Sequence, residues 1–189
     1  MKADTAHNEA EARIETAFKT GLPQSQSLII IGLGNPILGD DGFGWVVACE
    51  LESQLPSLNF AAEIEYASLG GLSLMERMVG YDVGILIDTI QLGRNPPGTL
   101  YCLSFAELPD YSAGHTASSH DTTLHAAIEM GRALGAHLPE TIWVVGVESE
   151  SSYDFSDELS PTILAAVPGA VQSVIELLDQ LWMPTSRGE

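Results

Sequence analysis

The fold is decided by residues 27–44, which read SLIIIGLGNPILGDDGFG. An apolar run at residues 28–31 ends in a glycine turn, and the acidic pair Asp40 and Asp41 follows shortly after. A buried strand that ends in such a turn delivers the next residues to the carboxyl edge of a sheet, where open α/β folds bind ligands. Since this stretch contains no Lys or Arg, it suits a cation better than a phosphate. A purely structural role is also open, in which Asp40 caps the next helix.

The composition predicts a single soluble domain. The chain has 189 residues, with 26 acidic against 7 basic side chains and a net charge of -19. Such a charge repels phosphate backbones and anionic lipid headgroups, so we expect no nucleic-acid partner and no membrane partner. The apolar runs are too short to span a bilayer and the polar start of the chain lacks a signal-peptide core, which predicts a cytoplasmic location.

The two cysteines indicate neither a metal site nor a redox site. Cys49 and Cys102 are far apart in sequence and form no CxxC pair. We expect both thiols to be reduced and to serve packing.

The chain divides into three segments. Residues 1–26 are predicted to be an N-terminal extension, helical or flexible. Residues 27–183 are predicted to form one α/β domain, and residues 184–189 a C-terminal tail.

Strands and helices alternate through the domain. This pattern predicts an α/β fold, a three-layer α/β/α sandwich around a five-stranded mixed, mostly parallel sheet. Strands are predicted at residues 27–33, 63–67, 83–88, 99–104 and 141–147. Helices are predicted at residues 42–55, at 72–79, from a cap at Ser118 or Ser119 to about Ala136, and from Pro161 to Trp182 with a break at Pro168-Gly169.

The connections predict which loops meet. The link between the third and fourth strands is too short for a helical crossover, so these two strands, if they are neighbours, should be antiparallel. Right-handed crossovers place the loops after the first, third and fifth strands at the same edge of the sheet.

Three polar side chains are predicted to converge at that edge. Asp41 lies in the loop after the first strand, Asp88 ends the third strand, and His120 lies where the fourth predicted strand leads into a helix. A carboxylate at the end of an apolar strand is costly to bury unless it is solvated, hydrogen-bonded or bound to metal. Two carboxylates and an imidazole suit Ni, Mn, Fe or Zn and leave coordination positions open.

Two other histidines lie close to His120 in sequence. His115, in a glycine-containing loop, remains a rival ligand. His125 lies further into the predicted helix and should point away, toward the surface or the core. A helix N-terminus lowers the pKa of an imidazole, which favours His120 as the metal ligand.

Several common catalytic patterns are missing from the sequence. There is no GxSxG elbow and no HExxH, and the glycines at 32 and 34 lack the third glycine of a dinucleotide loop.

Residues 32–44, GLGNPILGDDGFG, resemble the opening motif of the hydrogenase maturation endopeptidases. These proteases trim a C-terminal extension from the precursor of the [NiFe]-hydrogenase large subunit after nickel insertion. The resemblance extends in the right order over roughly residues 27–181. Its further motifs are Leu69-Gly70-Gly71, Ile87-Asp88-Thr89, Ser119-His120-Asp121, Gly146-Val147-Glu148 and Leu159-Ser160-Pro161.

The resemblance implies roles for the three converging residues. Asp41, Asp88 and His120 correspond to the family's nickel-contacting residues, and we expect them to be both the metal-binding and the catalytic residues. Many members carry Glu at the position of Asp41, so the reach of this carboxylate is shorter here. The resemblance also implies a cytoplasmic enzyme without a tightly bound metal. Nickel is supplied by the substrate, and Cd, Zn or another divalent ion could occupy the site in vitro.

The predicted function is therefore removal of the C-terminal extension of the [NiFe]-hydrogenase large-subunit precursor, with the substrate's nickel as recognition element. Three mechanisms stay open: the metal polarises the scissile carbonyl, the metal activates water, or a carboxylate acts as general base.

Three rival functions also fit parts of the sequence. A peptidyl-tRNA hydrolase-like esterase shares a GLGNP-like opening but continues with a histidine that this chain lacks there. A non-catalytic metal-binding maturation scaffold would use the same polar residues without hydrolysis. A plain sandwich with acidic loops would have no metal function at all.

Overall fold

A computed structural model describes residues 26–58, 61–108, 123–150 and 155–182. Of the predicted terminal segments 1–26 and 184–189, only residue 26 falls within these ranges, and the described residues of the domain show the predicted fold. Within these ranges, five strands form one mixed sheet in the order β2-β1-β3-β5-β4. The strands are β1 (Leu28–Leu33), β2 (Glu63–Ala67), β3 (Val83–Ile90), β4 (Leu100–Ser104) and β5 (Thr141–Glu148). The helices are α1 (Phe43–Leu58), α2 (Gly71–Arg77), α3 (Leu124–Ala133) and α4 (Pro161–Trp182).

Strands β1, β3 and β5 form the parallel centre of the sheet. All six residues of β1 are buried, as expected of a strand covered by helices on both faces. β1 pairs with β3, and β3 pairs with β5 in a register that sets Asp88 opposite Gly146. The carboxyl ends of these three strands therefore share one edge of the sheet, which confirms that prediction.

Each face of the sheet has its own hydrophobic core. One core joins the sheet to α1 and α4, and the other joins it to α2 and α3. Alternate residues of a strand point to opposite faces, so β3 contributes Ile85 and Ile87 to the first core and Leu86 to the second. The result is the predicted three-layer sandwich.

Strands β2 and β4 form the two edges of the sheet. The acidic residues Glu63 and Glu65 alternate along β2, which pairs only with β1 among the described strands. β4 is antiparallel, but its neighbour is β5 and not β3. The link between β3 and β4 is short, but it is long enough to pass the end of β5. Strand β4 therefore lies at the outer edge of the sheet, beside β5.

Helix α4 is continuous where the sequence predicts a break. Pro168 lies inside the helix, so the predicted interruption at Pro168-Gly169 is wrong. An internal proline removes a backbone hydrogen bond and costs about 3 kcal/mol or more. Because α4 buries an apolar face along its whole length, from Ile163 to Leu181, packing offsets that cost. Pro168 itself is on the exposed side.

The same helix is long and apolar enough to cross a membrane by length and composition. Its buried face packs on the sheet, however, as the core helix of a soluble domain does.

Helix α3 begins later than predicted. The side chain of Thr123 accepts a hydrogen bond from the backbone N–H of Ala126 at 3.3 Å and caps the helix. The predicted cap at Ser118 or Ser119 is therefore wrong, since α3 starts at Leu124. Several Ser and Thr residues precede α3, and each has the chemistry of an N-cap.

The two cysteines are not disulfide-bonded, as predicted, but they do not serve packing. Cys49 and Cys102 are both exposed. Cys49 lies on the outer side of α1, and Cys102 on the edge strand β4.

Candidate active site

The loop after β1 is held in a tight turn that fixes Asp41. Gly34 has a φ of 121°, and a Cβ at this position would clash with the carbonyl oxygen of Asp41. The backbone N–H of Asn35 donates a hydrogen bond to Oδ2 of Asp41 at 2.7 Å. The Asp41 carboxylate is thus held by the loop from which it projects.

Close packing of α1 brings this loop to the end of β3. A Cβ at Gly44, in the first turn of α1, would clash with the carbonyl oxygens of Leu33 and Ile87. Glycine therefore lets the helix begin directly against the ends of two strands. The 3-10 turn Gly39–Gly42, which carries Asp41, is brought beside the end of β3.

Asp88 is buried at this edge, with 2% of its surface exposed. Its Oδ1 accepts a hydrogen bond from the backbone N–H of Thr89 at 2.8 Å. Within the described part of the chain, no donor reaches Oδ2. The pKa of Asp88 is raised to about 8, mainly by burial and secondly by the nearby charge of Asp41. The hydrogen bond from Thr89 lowers the pKa by a smaller amount.

The neighbouring carboxylate of Asp40 has a different role. Its Oδ1 accepts a hydrogen bond from the backbone N–H of Ser160 at 2.6 Å, and its Oδ2 accepts one from the Ser160 hydroxyl at 2.9 Å. Asp40 therefore ties the loop after β1 to the residue that precedes α4. It does not cap α1, which was the structural role considered for this residue.

The predicted histidine ligand cannot be placed. His120 and its rival His115 lie outside the described residues. His125 stacks on the ring of Phe105, with centroids 4.0 Å apart and an interplanar angle of 16°. It therefore packs on the residue that follows β4. Of the predicted trio, the structure brings Asp41 and Asp88 together, and among described residues no three metal-binding side chains converge.

A second buried carboxylate, which the site prediction left out, lies at the end of β5. Glu148 is 3% exposed and accepts hydrogen bonds from the Gly93 backbone N–H at 2.9 Å and the Tyr101 hydroxyl at 2.7 Å. It thereby holds the loop that follows β3. The signal was in the sequence, because Glu148 follows an apolar run as Asp88 does, although β3 continues to Ile90.

The arrangement favours a cation over an anion. The carboxylate of Asp41 and the Oδ2 of Asp88, which no described donor reaches, offer oxygen ligands that divalent metals accept. The loop supplies no basic side chain to neutralise them. Two protein ligands, with a third from elsewhere, leave coordination positions open for a partner.

Comparison with known proteins decides the family. The family model described as hydrogenase maturation protease (HycI) matches residues 66–177, a range that includes Asp88 and His120. The chain belongs to the hydrogenase maturation protease family. The hydrogenase expression/formation protein HupD of Thiocapsa roseopersicina is 26% identical over 162 residues, which cover 86% of this chain and 72% of that protein.

Solved structures agree with this assignment. An Escherichia coli endopeptidase solved in solution has a TM-score of 0.62 and 26% identity, covering 82% of this chain and 93% of that one. The hydrogenase maturating endopeptidase HybD from E. coli shares the fold, with a TM-score of 0.63, 24% identity and the same two coverages.

These matches confirm three predictions for this hydrogenase maturation protease. It has the α/β fold of its relatives, it is a peptidase, and it acts in C-terminal processing of the hydrogenase large subunit. The peptidyl-tRNA hydrolase, the non-catalytic scaffold and the plain sandwich are set aside accordingly. The roles of individual residues and of nickel stay predictions.

Proposed function

We propose that this protease removes the C-terminal extension of a [NiFe]-hydrogenase large-subunit precursor in the cytoplasm, after nickel insertion. Asp41, Asp88 and His120 then contact the nickel that the precursor carries. The observation that supports this proposal is the buried Asp88 carboxyl group beside Asp41, whose Oδ2 has no hydrogen-bond partner among the described residues.

An unpartnered buried oxygen has a cost that substrate binding can remove. Leaving a buried polar atom without a hydrogen bond costs about 1–3 kcal/mol. A cation at Asp88 would replace the lost solvation and would also offset the repulsion from Asp41 that arises when Asp88 loses its proton. The free protease is therefore arranged to gain more from a nickel-loaded precursor than from an empty one.

The same arrangement limits binding of free metal. A carboxyl group that holds its proton near neutral pH must lose it before it can bind a cation, which weakens metal binding by the protein alone. We expect no tightly bound resting metal, with nickel supplied by the substrate. Cd, Zn or another divalent ion could still fill the site at high concentration. Selectivity then comes from the difference in affinity between loaded and empty precursor.

The residues around the pair position it. The Asn35 backbone holds the Asp41 carboxylate, and Gly44 lets α1 approach the strand ends so that Asp41 reaches Asp88. A carboxyl group with a raised pKa beside a charged carboxylate is a common basis for dividing acid and base roles.

The experiment is cleavage of purified precursor, followed by mass spectrometry of its C-terminus. We expect cleavage of nickel-loaded precursor and none of the nickel-free form. Asp41→Ala, Asp88→Ala and His120→Ala should each lower the rate by about 100-fold or more, in the range of a lost acid–base group. Asp40→Asn is the matched control, because it changes the adjacent carboxylate that binds Ser160.

Each part of the proposal has its own contradicting result. Full activity of His120→Ala would remove His120 from the mechanism. Equal cleavage of loaded and empty precursor would show that nickel is not the recognition element. No cleavage of either form by the wild type would contradict the proposed reaction itself.

A further inference from the structure

Two exposed apolar side chains lie beside each other near the site. Ile37 is 56% exposed and Phe155 is 84% exposed. Leu38 and Ser156 form a parallel bridge, in which the Ser156 N–H donates to the Ile37 carbonyl at 3.2 Å and the Gly39 N–H donates to the Ser156 carbonyl at 2.8 Å. Residues that precede the two partners of a parallel bridge are neighbours across the two paired segments. Ile37 and Phe155 therefore form one surface, the Ile37–Phe155 patch.

The patch is fixed relative to the aspartate pair. The backbone N–H of Asp41 donates to the carbonyl of Leu38 at 3.3 Å, within the same loop. The hydrogen bonds between Asp40 and Ser160 also hold this loop to the segment that carries Phe155, at the point where that segment leads into α4. The backbone that carries the patch is thus held by hydrogen bonds in the free protein, and Ile37 belongs to the same loop as Asp41.

Acidic side chains adjoin the patch. Asp157 and Glu158 follow Phe155 closely in the same turn. The Ser156 hydroxyl accepts from the Glu158 N–H at 3.0 Å, which orders this short turn. A partner segment with apolar and basic side chains would complement the surface in both polarity and charge.

We propose that the Ile37–Phe155 patch is a docking surface for the hydrogenase large-subunit precursor, and that it binds an apolar segment with neighbouring basic residues. This inference rests on the proposed function, because it assigns the protein substrate of the same site a second point of contact. Hot-spot side chains lie near the centre of an interface, where binding removes them from water, so the proposal requires that the precursor cover Phe155. The patch raises affinity for the precursor and leaves the cleavage step to the aspartate pair.

The chain offers a matched control at the opposite edge of the sheet. Leu134 is 82% exposed and follows α3, just before the chain enters β5. It therefore lies toward the edge where the parallel strands begin, opposite the site. Leu134→Ser removes similar exposed apolar surface without touching the proposed contact.

The test is steady-state cleavage of nickel-loaded precursor by the full chain. Phe155→Ser and Ile37→Ser should each raise KM about tenfold, the effect of losing one hot-spot contact, with kcat within about twofold of wild type. Phe155→Leu should give an intermediate KM, and Leu134→Ser should match the wild type. Unchanged circular dichroism and Tm would show that the variants fold.

Three results would overturn the inference. The first is an unchanged KM in both patch variants, and the second is an equal rise in Leu134→Ser. The third is a wild-type dimer that Phe155→Ser dissociates, with KM unaffected, which would assign the patch to a second copy of the chain. These outcomes are distinct from failure of the proposed function, in which the wild type itself would not cleave the loaded precursor.

Discussion

Asp41 lies close enough to Asp88 for its charge to add to the effect of burial, and together they raise the pKa of Asp88 to about 8. The two residues come from different elements: Asp41 lies in the turn after β1, and Asp88 lies within β3, two residues before its end. Their proximity depends on how tightly α1 packs against these strand ends. We expect this relationship to link the pH dependence of stability to the pH dependence of substrate binding.

Asp88→Asn should change how stability depends on pH. The pKa of Asp88 is raised on folding, from about 4 in an unfolded chain to about 8 in the folded protein. Between these values the folded state holds the extra proton, so the contribution of this group falls as pH rises through that window. Urea unfolding at pH 5 and pH 8.5 should show that Asp88→Asn gains stability relative to wild type at the higher pH. An identical shift at both pH values would contradict the assigned pKa.

Binding of a divalent probe ion should require loss of the Asp88 proton. Cd²⁺ affinity should therefore rise steeply with pH up to about 8, beyond the range in which an ordinary histidine, with a pKa of about 6.5, titrates. Isothermal calorimetry in buffers of different ionisation enthalpy would count the released protons. Asp88→Asn should abolish the upper part of the pH dependence, whereas Asp40→Asn should retain it. A pH-independent affinity above pH 7 would exclude Asp88 as a ligand.

The link between Asp40 and Ser160 should be structural. Asp40→Ala leaves the Ser160 N–H and hydroxyl without their acceptor and should lower the free energy of unfolding by about 1–3 kcal/mol. Asp40→Asn keeps one acceptor oxygen and should lower the free energy of unfolding by less than Asp40→Ala does. Urea denaturation measures both. Equal losses in the two variants would show that the negative charge, and not the hydrogen bonds, holds α4 to the loop.

Gly44 should tolerate no side chain. Gly44→Ala forces the start of α1 away from Leu33 and Ile87, and we expect a loss of at least about 2 kcal/mol. Because Asp41 moves with this turn, cleavage activity should fall as well. Gly70→Ala is the control, since a Cβ there meets nothing within 4 Å. Thermal unfolding and cleavage assays measure the two effects, and a stable, active Gly44→Ala would contradict the proposed packing.

The sequence predicted the central strands and the meeting of Asp41 with Asp88 because both follow from local signals. Continuous apolar runs identify buried parallel strands, and right-handed crossovers bring the ends of such strands to one edge. Glu148 carried the same signal as Asp88, an acid at the end of an apolar strand, but its hydrogen-bond partners lie in other segments.

Long-range packing explains what the sequence did not predict. The hydrogen bonds of Asp40 join residues 120 positions apart, so no local pattern indicates them. The continuity of α4 through Pro168 depends on a core that outweighs a local helix-breaking preference. The place of β4 beside β5 is likewise set by the tertiary fold. The length of the loop limits the distance between β3 and β4, but it does not determine which strand pairs with β4.

Strand β2 carries Glu63 and Glu65 along an edge of the sheet that no other strand of the described ranges covers. An edge strand is a template to which another chain can add by backbone hydrogen bonding, the first step of aggregation. When two copies meet through this edge, their glutamates are brought together, and like charges facing each other across strands oppose pairing. We expect these two side chains to disfavour intermolecular sheet formation through β2, and we expect this protection to be lost with them even if the overall acidity were kept.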